Sequence, residues 1–205
     1  MVGMRKLAGA ATLSVAAAIV LVAGPTGASA CGGGTGGTSV RPHHCRGSGG
    51  YVNPFKGQSW YAGRIDMGVD YMPRRREPVR AIGRAKILGA DRHSGWPGGH
   101  FIWYKLLRGD HRGDIIYVAE TLKHLVPRGT TVPRGHRIAT AVRGGTGTEW
   151  GWATRSGQAR AAPCYHEGMK TNSGKEMARF LMSLGADVGD KVRRRGSDQP
   201  SGRLC

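Results

Sequence analysis

The sequence predicts a mainly β fold that ends in a single α-helix. Short stretches typical of β-strands follow one another through the middle of the chain, and in the first of them apolar and polar residues alternate. Stretches rich in glycine and proline, such as Ser94–Gly99, separate them and predict turns. A stripe of apolar residues at helical spacing follows near the C-terminus. Many short strands at this spacing favour a β-barrel or a β-sandwich.

The first predicted strand, Arg64–Tyr71, carries the most informative alternation. It places three apolar side chains on one face and Asp66 and Asp70 on the other. Four residues of straight strand span roughly 13 Å, so the two carboxylates meet at one site only if the chain bends at Gly68. The other predicted strands are Pro78–Ala81, Lys86–Leu88, His100–Leu107, Ile115–Ala119 and Arg137–Val142.

The predicted helix lies within residues 171–187. Ser173 and Glu176 have the spacing of a capping box, in which each side chain bonds the other's backbone N–H. Met177, Phe180 and Leu181 then recur at three- and four-residue steps. This stripe predicts a helix that packs on the β-structure and has a structural role.

The N-terminal segment predicts export. Arg5 and Lys6 precede an apolar run from Leu7 to about Val22, and residues 28–30 have the small-x-small form of a signal-peptidase site. Residues 1–30 are therefore predicted to be a signal peptide, and the protein to be secreted or associated with a bacterial cell envelope. An uncleaved membrane anchor and a lipid anchor on Cys31 are the alternatives.

Composition predicts one domain between two unstructured segments. Residues 31–52 are rich in glycine, which is typical of a flexible linker, and residues 188–205 form a basic tail. The predicted β domain covers residues 53–170, and the helix follows it. Disulfides persist in exported proteins, so one or two bridges are expected among Cys31, Cys45, Cys164 and Cys205. Their pairing is open, with a weak preference for Cys45 with Cys164.

The charge of the chain indicates anionic partners. It has 31 basic and 13 acidic side chains, and loss of Arg5 and Lys6 with the signal peptide lowers the formal net charge from +18 to +16. Wall polymers and phospholipid headgroups are candidate partners outside a bacterial cell, and no motif indicates a specific nucleic acid. A solvated basic face with no single partner is the other interpretation.

The order of the motifs resembles that of the lysostaphin-type zinc metallopeptidases. The region that resembles this family runs from about Tyr61 to Ala153. It includes Asp66–Asp70, Glu77–Ala81, the strand that ends at Glu120, the turns of residues 126–138 with the glycines that follow, and finally Glu149–Trp152. The resemblance implies a duplicated-hybrid-motif β-barrel or sandwich, the fold with which that family cuts peptidoglycan cross-bridges.

The same resemblance implies that the family's metal chemistry is altered here. Of the metal-site and catalytic positions, Asp70 keeps the family's residue, whereas Asp66, Glu120 and Glu149 stand where the family has histidines. Gly151 stands at a zinc-ligand position and has no side chain. Zinc prefers imidazole and thiolate ligands, so no zinc or other cofactor is expected, although calcium could bind carboxylate oxygens. His100, His124 and His136 match no family position.

The four acids are therefore predicted to converge on one groove. Crowded carboxylates raise one another's pKa values. Asp66, Asp70 and Trp96 are the predicted ligand-binding residues, and Glu120 and Glu149 the candidate catalytic pair. The expected function is binding of peptidoglycan or another wall glycan without zinc-dependent peptide cleavage. The alternatives are a wall hydrolase that uses Glu120 and Glu149, a basic protein held at wall or membrane by charge, and acids paired by Arg64 or Arg80 in an inert floor.

Overall fold

A computed structural model describes residues 50–189, which form two antiparallel β-sheets and one α-helix. The predicted mainly β class with one C-terminal helix is confirmed. The strands are β1 Trp60–Ile65, β2 Val69–Pro73, β3 Glu77–Arg80, β4 Ala85–Asp91, β5 His100–Leu106, β6 Ile115–Glu120, β7 Leu122–Lys123, β8 Thr131–Val132, β9 Arg137–Ala141 and β10 Thr148–Trp152. A short 3-10 turn, Ala162–Cys164, precedes the helix α1, Asn172–Ser183.

The larger sheet has seven strands in the order β1-β2-β10-β6-β5-β4-β8, and the smaller has three in the order β3-β9-β7. The main core contains residues of both sheets and of α1, including Trp150, Ile138 and Met177. Trp150 and Trp152 are buried. A second apolar cluster, which includes Tyr117, Phe101 and Ala119, forms around other residues of the large sheet. Side chains alternate across the sheet, so this cluster covers the opposite face.

The predicted strand Arg64–Tyr71 is wrong as a single strand, because the chain reverses within it. Strands β1 and β2 pair antiparallel, with Ile65 opposite Val69, and residues 66–68 form the turn between them. Asp66 makes the turn by accepting hydrogen bonds at Oδ1 from the backbone N–H groups of Met67 (2.6 Å) and Gly68 (3.4 Å). The expected bend at Gly68 is thus a complete hairpin.

The N-cap of the helix lies two residues before the first residue of the predicted capping box. Thr171 is the N-cap, and its hydroxyl oxygen accepts a 3.0 Å hydrogen bond from the N–H of Gly174. The same hydroxyl donates to the carbonyl oxygen of Asp66 at 2.8 Å. The cap prediction at Ser173 is therefore wrong. Thr171 attaches the start of α1 to the β1–β2 turn.

The N-terminal end of the described region packs into the fold. Tyr51, at the end of the predicted linker, is buried, and its hydroxyl donates a 2.7 Å hydrogen bond to the carbonyl of Arg108. Within residues 50–189, no helix has both the length and the apolar character that a membrane span needs. The signal peptide, most of the linker and tail, and three of the four cysteines lie outside the described residues, so those predictions stay predictions.

The β1–β2 turn predicts a strict requirement for glycine at position 68. A Cβ added there would lie 2.4 Å from the carbonyl oxygen of Trp150 and 2.9 Å from Oε1 of Glu149. Gly68→Ala should therefore lower the free energy of unfolding by about 1–3 kcal/mol or more, as overpacking does. Urea denaturation measures this change. Gly95→Ala is the matched control, since its added Cβ meets nothing within 4 Å, and an equal loss in both variants would contradict the steric argument.

Candidate functional site: an acid-lined cleft

Three of the predicted carboxylates lie within a few ångströms of one another. Asp70 on β2 stands directly opposite Glu149 on β10, and Asp66 is in the adjoining turn. Residues directly opposite in an antiparallel pair project to the same face. Each of these three residues offers an oxygen within 4.8 Å of the others. The pairing of β2 with β10 therefore creates the acidic cluster.

Glu120 joins this group through an unusual backbone conformation. It ends β6 opposite Thr148, so strand alternation would place its side chain on the face opposite Glu149. Its φ of 84° lies in the left-handed region, which non-glycine residues seldom adopt. This conformation ends the alternation, and the side chain lines the same cleft as Asp70 and Glu149. Backbone strain of this kind clusters at functional sites.

Arg64 supplies the positive charge that the acids need. Its Nε lies 2.8 Å from Asp66 and 3.3 Å from Asp70, and its Nη2 lies 2.7 Å from Glu167. The hydroxyl of Tyr165 donates to Asp66 or Glu167, each 3.1 Å away. The expected pairing through Arg64 is therefore present, while that through Arg80 is wrong, because Arg80 donates to the carbonyl of Gly135.

Tyr117 is a hydrogen-bond partner of Glu149. Its hydroxyl donates to Oε1 of Glu149, and its ring lies beside Gly151, its partner in the β6–β10 pairing. A Cβ at Gly151 would lie 2.5 Å from the ring. The tyrosine ring thus fills the space into which a side chain at position 151 would project.

A cleft of about 450 Å³ lies on the face of the large sheet opposite the main core, and its lining includes Arg64, Asp70, Glu120, Glu149, Tyr165 and Glu167. We call it the acid-lined cleft. Trp96, in the loop before β5, forms one wall, and its ring stands 5.4 Å from Tyr117 and 6.0 Å from Phe101 between centroids. Met72, Pro97 and Thr146 contribute to the rest of the lining. A partly buried indole face therefore adjoins clustered carboxylates.

Burial shifts the protonation of the cleft. Burial first, and then repulsion by Asp66 and Glu120, raises the pKa of Asp70 to about 7. Burial also raises the pKa of Glu120, and it raises that of Glu149 well above the usual range. The pKa of Tyr117 is raised for the same reason, which keeps its hydroxyl a donor. Asp70 is therefore partly protonated near neutral pH.

The donor set does not fit zinc. Among the described residues, the lining of the cleft contains carboxylate and phenol oxygens but no histidine or cysteine, whereas zinc sites use imidazole and thiolate. His100 and His124 make their contacts with Gly98 and Arg76. Calcium prefers oxygen ligands, and it would compete with the guanidinium of Arg64 for two of the three clustered acids. Calcium binding stays a prediction.

Two solved structures are similar to this chain. The solution NMR structure of lysostaphin matches with a TM-score of 0.46 and 18% identity, over 70% of this chain and 59% of that one. A structure of the antimicrobial peptidase lysostaphin from Staphylococcus simulans matches with a TM-score of 0.42 and 18% identity, over 75% and 60%. The chain thus spans about three fifths of the lysostaphin chains it matches. No family model and no curated protein matches the sequence.

The structure brings all the residues predicted for the site to one place. Asp70, Glu120, Glu149 and Trp96 line the cleft, and Asp66 lies in the turn beneath it. Their roles in binding or catalysis stay predictions. Sequence reasoning missed Tyr117, Tyr165 and Glu167. A signal for Tyr117 was available, because a glycine in the middle of a buried strand indicates close approach of a neighbour.

Asp70 predicts a pH-dependent stability. Its pKa rises from an ordinary value of 3.8 to about 7 on folding, so the protonated form favours the folded state. This contribution is complete below the unfolded pKa and is lost as the pH rises through the folded value. The free energy of unfolding of Asp70→Asn, taken relative to that of the wild type, should therefore be higher at about pH 8 than at about pH 4. The difference should be on the order of 2 kcal/mol.

Denaturant unfolding at both pH values measures that difference, with the exposed Asp110→Asn as control. If Asp70→Asn differed from the wild type by the same amount at the two pH values, the raised pKa of Asp70 would be contradicted.

The Tyr117–Glu149 hydrogen bond predicts a second effect on stability. Tyr117→Phe leaves Oε1 of Glu149 without this donor, so the free energy of unfolding should fall by about 1–3 kcal/mol at neutral pH. The fall should be larger at alkaline pH, where Glu149 is ionised, because removal of the bond raises the pKa of Glu149 further. Urea titrations at both pH values, with the half-exposed Tyr61→Phe as control, measure the effect. A loss that does not depend on pH would argue against the bond to Glu149.

Proposed function

We propose that the protein is exported and acts at the bacterial cell wall, where the acid-lined cleft binds peptidoglycan or another wall glycan without zinc-dependent peptide cleavage. The observation that carries this proposal is the gathering of Asp70, Glu120 and Glu149 in one concave site beside the indole of Trp96. The predicted signal peptide and the basic surface support the location. The order of the sequence motifs, which resembles that of the lysostaphin-type metallopeptidases, supports a role at the cell wall.

The chemistry of the cleft suits a saccharide. Carboxylates accept hydrogen bonds from hydroxyl groups, and protonated acids can also donate to ring or carbonyl oxygens. A tryptophan face presents apolar surface and positions a ring that packs against it. Sites for small ligands commonly combine an apolar wall with a few convergent polar groups. The cleft has both parts within about 450 Å³.

Hydrolysis is the second candidate, and Glu120 favours it. Its Oε2 is buried and has no hydrogen-bond partner within residues 50–189. Its backbone is strained, and its pKa is raised. A carboxyl group held protonated beside an ionised partner is the arrangement with which glycosidases protonate a leaving group. In this alternative Glu120 and Glu149 are the acid and base pair.

Binding to purified peptidoglycan tests the proposal. In a sedimentation assay, Trp96→Ala should weaken binding by roughly fivefold, because it removes the aromatic contact. Asp70→Asn should also weaken it, since a saccharide hydroxyl loses a charged acceptor. The matched controls are Met182→Ala, an exposed apolar residue on α1, and Asp110→Asn. Wild-type affinity in both cleft variants would contradict binding at the cleft.

Release of soluble fragments distinguishes the alternatives. Fragments that appear from purified peptidoglycan with the wild type, but not with Glu120→Gln, would establish the hydrolase in place of the binding protein. The identity of the broken bond would separate a peptidase from a glycosidase. Binding that disappears at about 0.5 M salt but survives all cleft substitutions would indicate retention at the wall or membrane by charge alone.

A further inference from the structure

A second concave site adjoins the acid-lined cleft and has the opposite charge. It has a volume of about 490 Å³, and its lining includes Tyr61, Met72, Arg74, Arg143 and Gly144. We call it the arginine pocket. Met72 lines both sites. The loop between β9 and β10 also reaches both, because Arg143 faces the arginine pocket and Thr146 the cleft.

Both guanidinium groups of the pocket are available to a ligand. Arg74 and Arg143 are exposed, and neither forms an ion pair with a carboxylate within residues 50–189. The neighbouring Arg75 differs, since its Nε lies 2.9 Å from Glu77. The pocket therefore concentrates positive charge that the fold itself does not neutralise.

Local contacts hold the pocket in shape. The guanidinium of Arg74 lies over the ring of Tyr61, 5.6 Å from its centroid, and the backbone N–H of Arg74 donates to Ser59 at 2.9 Å. Gly144 and Gly145 have φ values of 101° and 65°. A Cβ at Gly145 would lie 2.7 Å from Oγ1 of Thr121, so the loop packs closely. The arginines thus project from positions that the backbone defines.

We propose that the arginine pocket is an anion site, which takes a phosphate or carboxylate group of a polymer whose adjoining sugar lies in the acid-lined cleft. Guanidinium groups form paired, charge-assisted hydrogen bonds with both anions. Carboxylates of the cleft repel such a group, and Met72 marks the boundary between the two charges because it lines both sites. The proposal of an anion site depends only on the two arginines. The placement of the adjoining sugar in the cleft rests on the proposed function.

The simplest test uses inorganic phosphate and the full chain. Titration followed by heteronuclear NMR should give saturable shifts at the amides of Gly144 and Gly145. Arg74→Gln with Arg143→Gln should weaken binding by roughly tenfold or more. The control double variant, Arg112→Gln with Arg155→Gln, removes the same charge from exposed arginines elsewhere and should bind phosphate as the wild type does. Equal weakening in both double variants, or shifts spread over the whole surface, would overturn the proposal.

Sedimentation with wall material identifies the source of the anion. Intact wall is compared with wall from which hydrofluoric acid has removed phosphodiester-linked polymers. If the source is phosphate, stripping should lower wild-type binding to the level of the Arg74/Arg143 double variant. If it is a peptidoglycan carboxylate, the double variant should bind less than the wild type to both materials. Equal binding by wild type and double variant to both would overturn the polymer contact.

The two proposals can fail separately. Loss of wall binding in Trp96→Ala and Asp70→Asn, with no loss in the arginine double variant, would uphold the cleft and reject the pocket. The reverse pattern would uphold the pocket and reject the cleft.

Discussion

The turn between β1 and β2 is the constraint on which the site depends. Three elements meet there. The carbonyl of Asp66 accepts hydrogen bonds from the hydroxyl and the N–H of Thr171, at 2.8 and 3.0 Å, and a side chain at Gly174 would lie 2.2 Å from it. Gly68 approaches β10 so closely that it leaves no room for a Cβ. The start of α1 and the strand that bears Glu149 therefore position the turn from two sides.

This arrangement gives α1 a second role beyond packing. Its apolar side chains, such as Met177 and Leu181, belong to the main core, while its N-cap holds the turn that carries Asp66. A change in the helix would thus reach the cleft through Thr171. The carboxylate of Asp66 is fully buried, so its position depends on these contacts and on Arg64.

Crowding of acids is tolerable because two partners and partial protonation reduce the repulsion between them. Arg64 contacts Asp66 and Asp70, Tyr117 donates to Glu149, and raised pKa values leave part of the cluster protonated near neutral pH. Removal of one partner from a buried ion pair is destabilising, because the other charge is left unpaired. A complete buried ion pair nevertheless often contributes little net stability. The cluster is therefore not expected to add much net stability.

The sequence was most informative where periodicity and burial agree. The continuous apolar runs of β5 and β6 predicted their positions to within about one residue, because each strand lies in the middle of the large sheet and is largely buried. The β1–β2 hairpin could not be read this way. Ile65 and Val69 project to the same face of the sheet in a hairpin, as they would in a straight strand, so the alternation does not distinguish the two. The turn itself depends on contacts from elements distant in the sequence.

Tertiary contacts also explain the other differences. Ser173 and Glu176 satisfy the capping pattern, yet Thr171 caps α1 because its hydroxyl also reaches the carbonyl of Asp66. Alternation alone would have placed Glu120 away from the cleft, and its place there was expected from the family resemblance. Tyr117 was missed because no sequence pattern links it to Glu149, although Gly151 indicated that a large neighbour stood close.

The titration of the individual carboxyl groups tests the central claim, that these acids share one buried electrostatic environment. Carbon-13 NMR of the labelled full-length chain resolves each group. The structure predicts a pKa of about 7 for Asp70 and raised pKa values for Glu120 and Glu149. If all three titrated at the ordinary values of solvated carboxyl groups, near about 4, the acids would not be gathered in a common cleft and the account would be wrong.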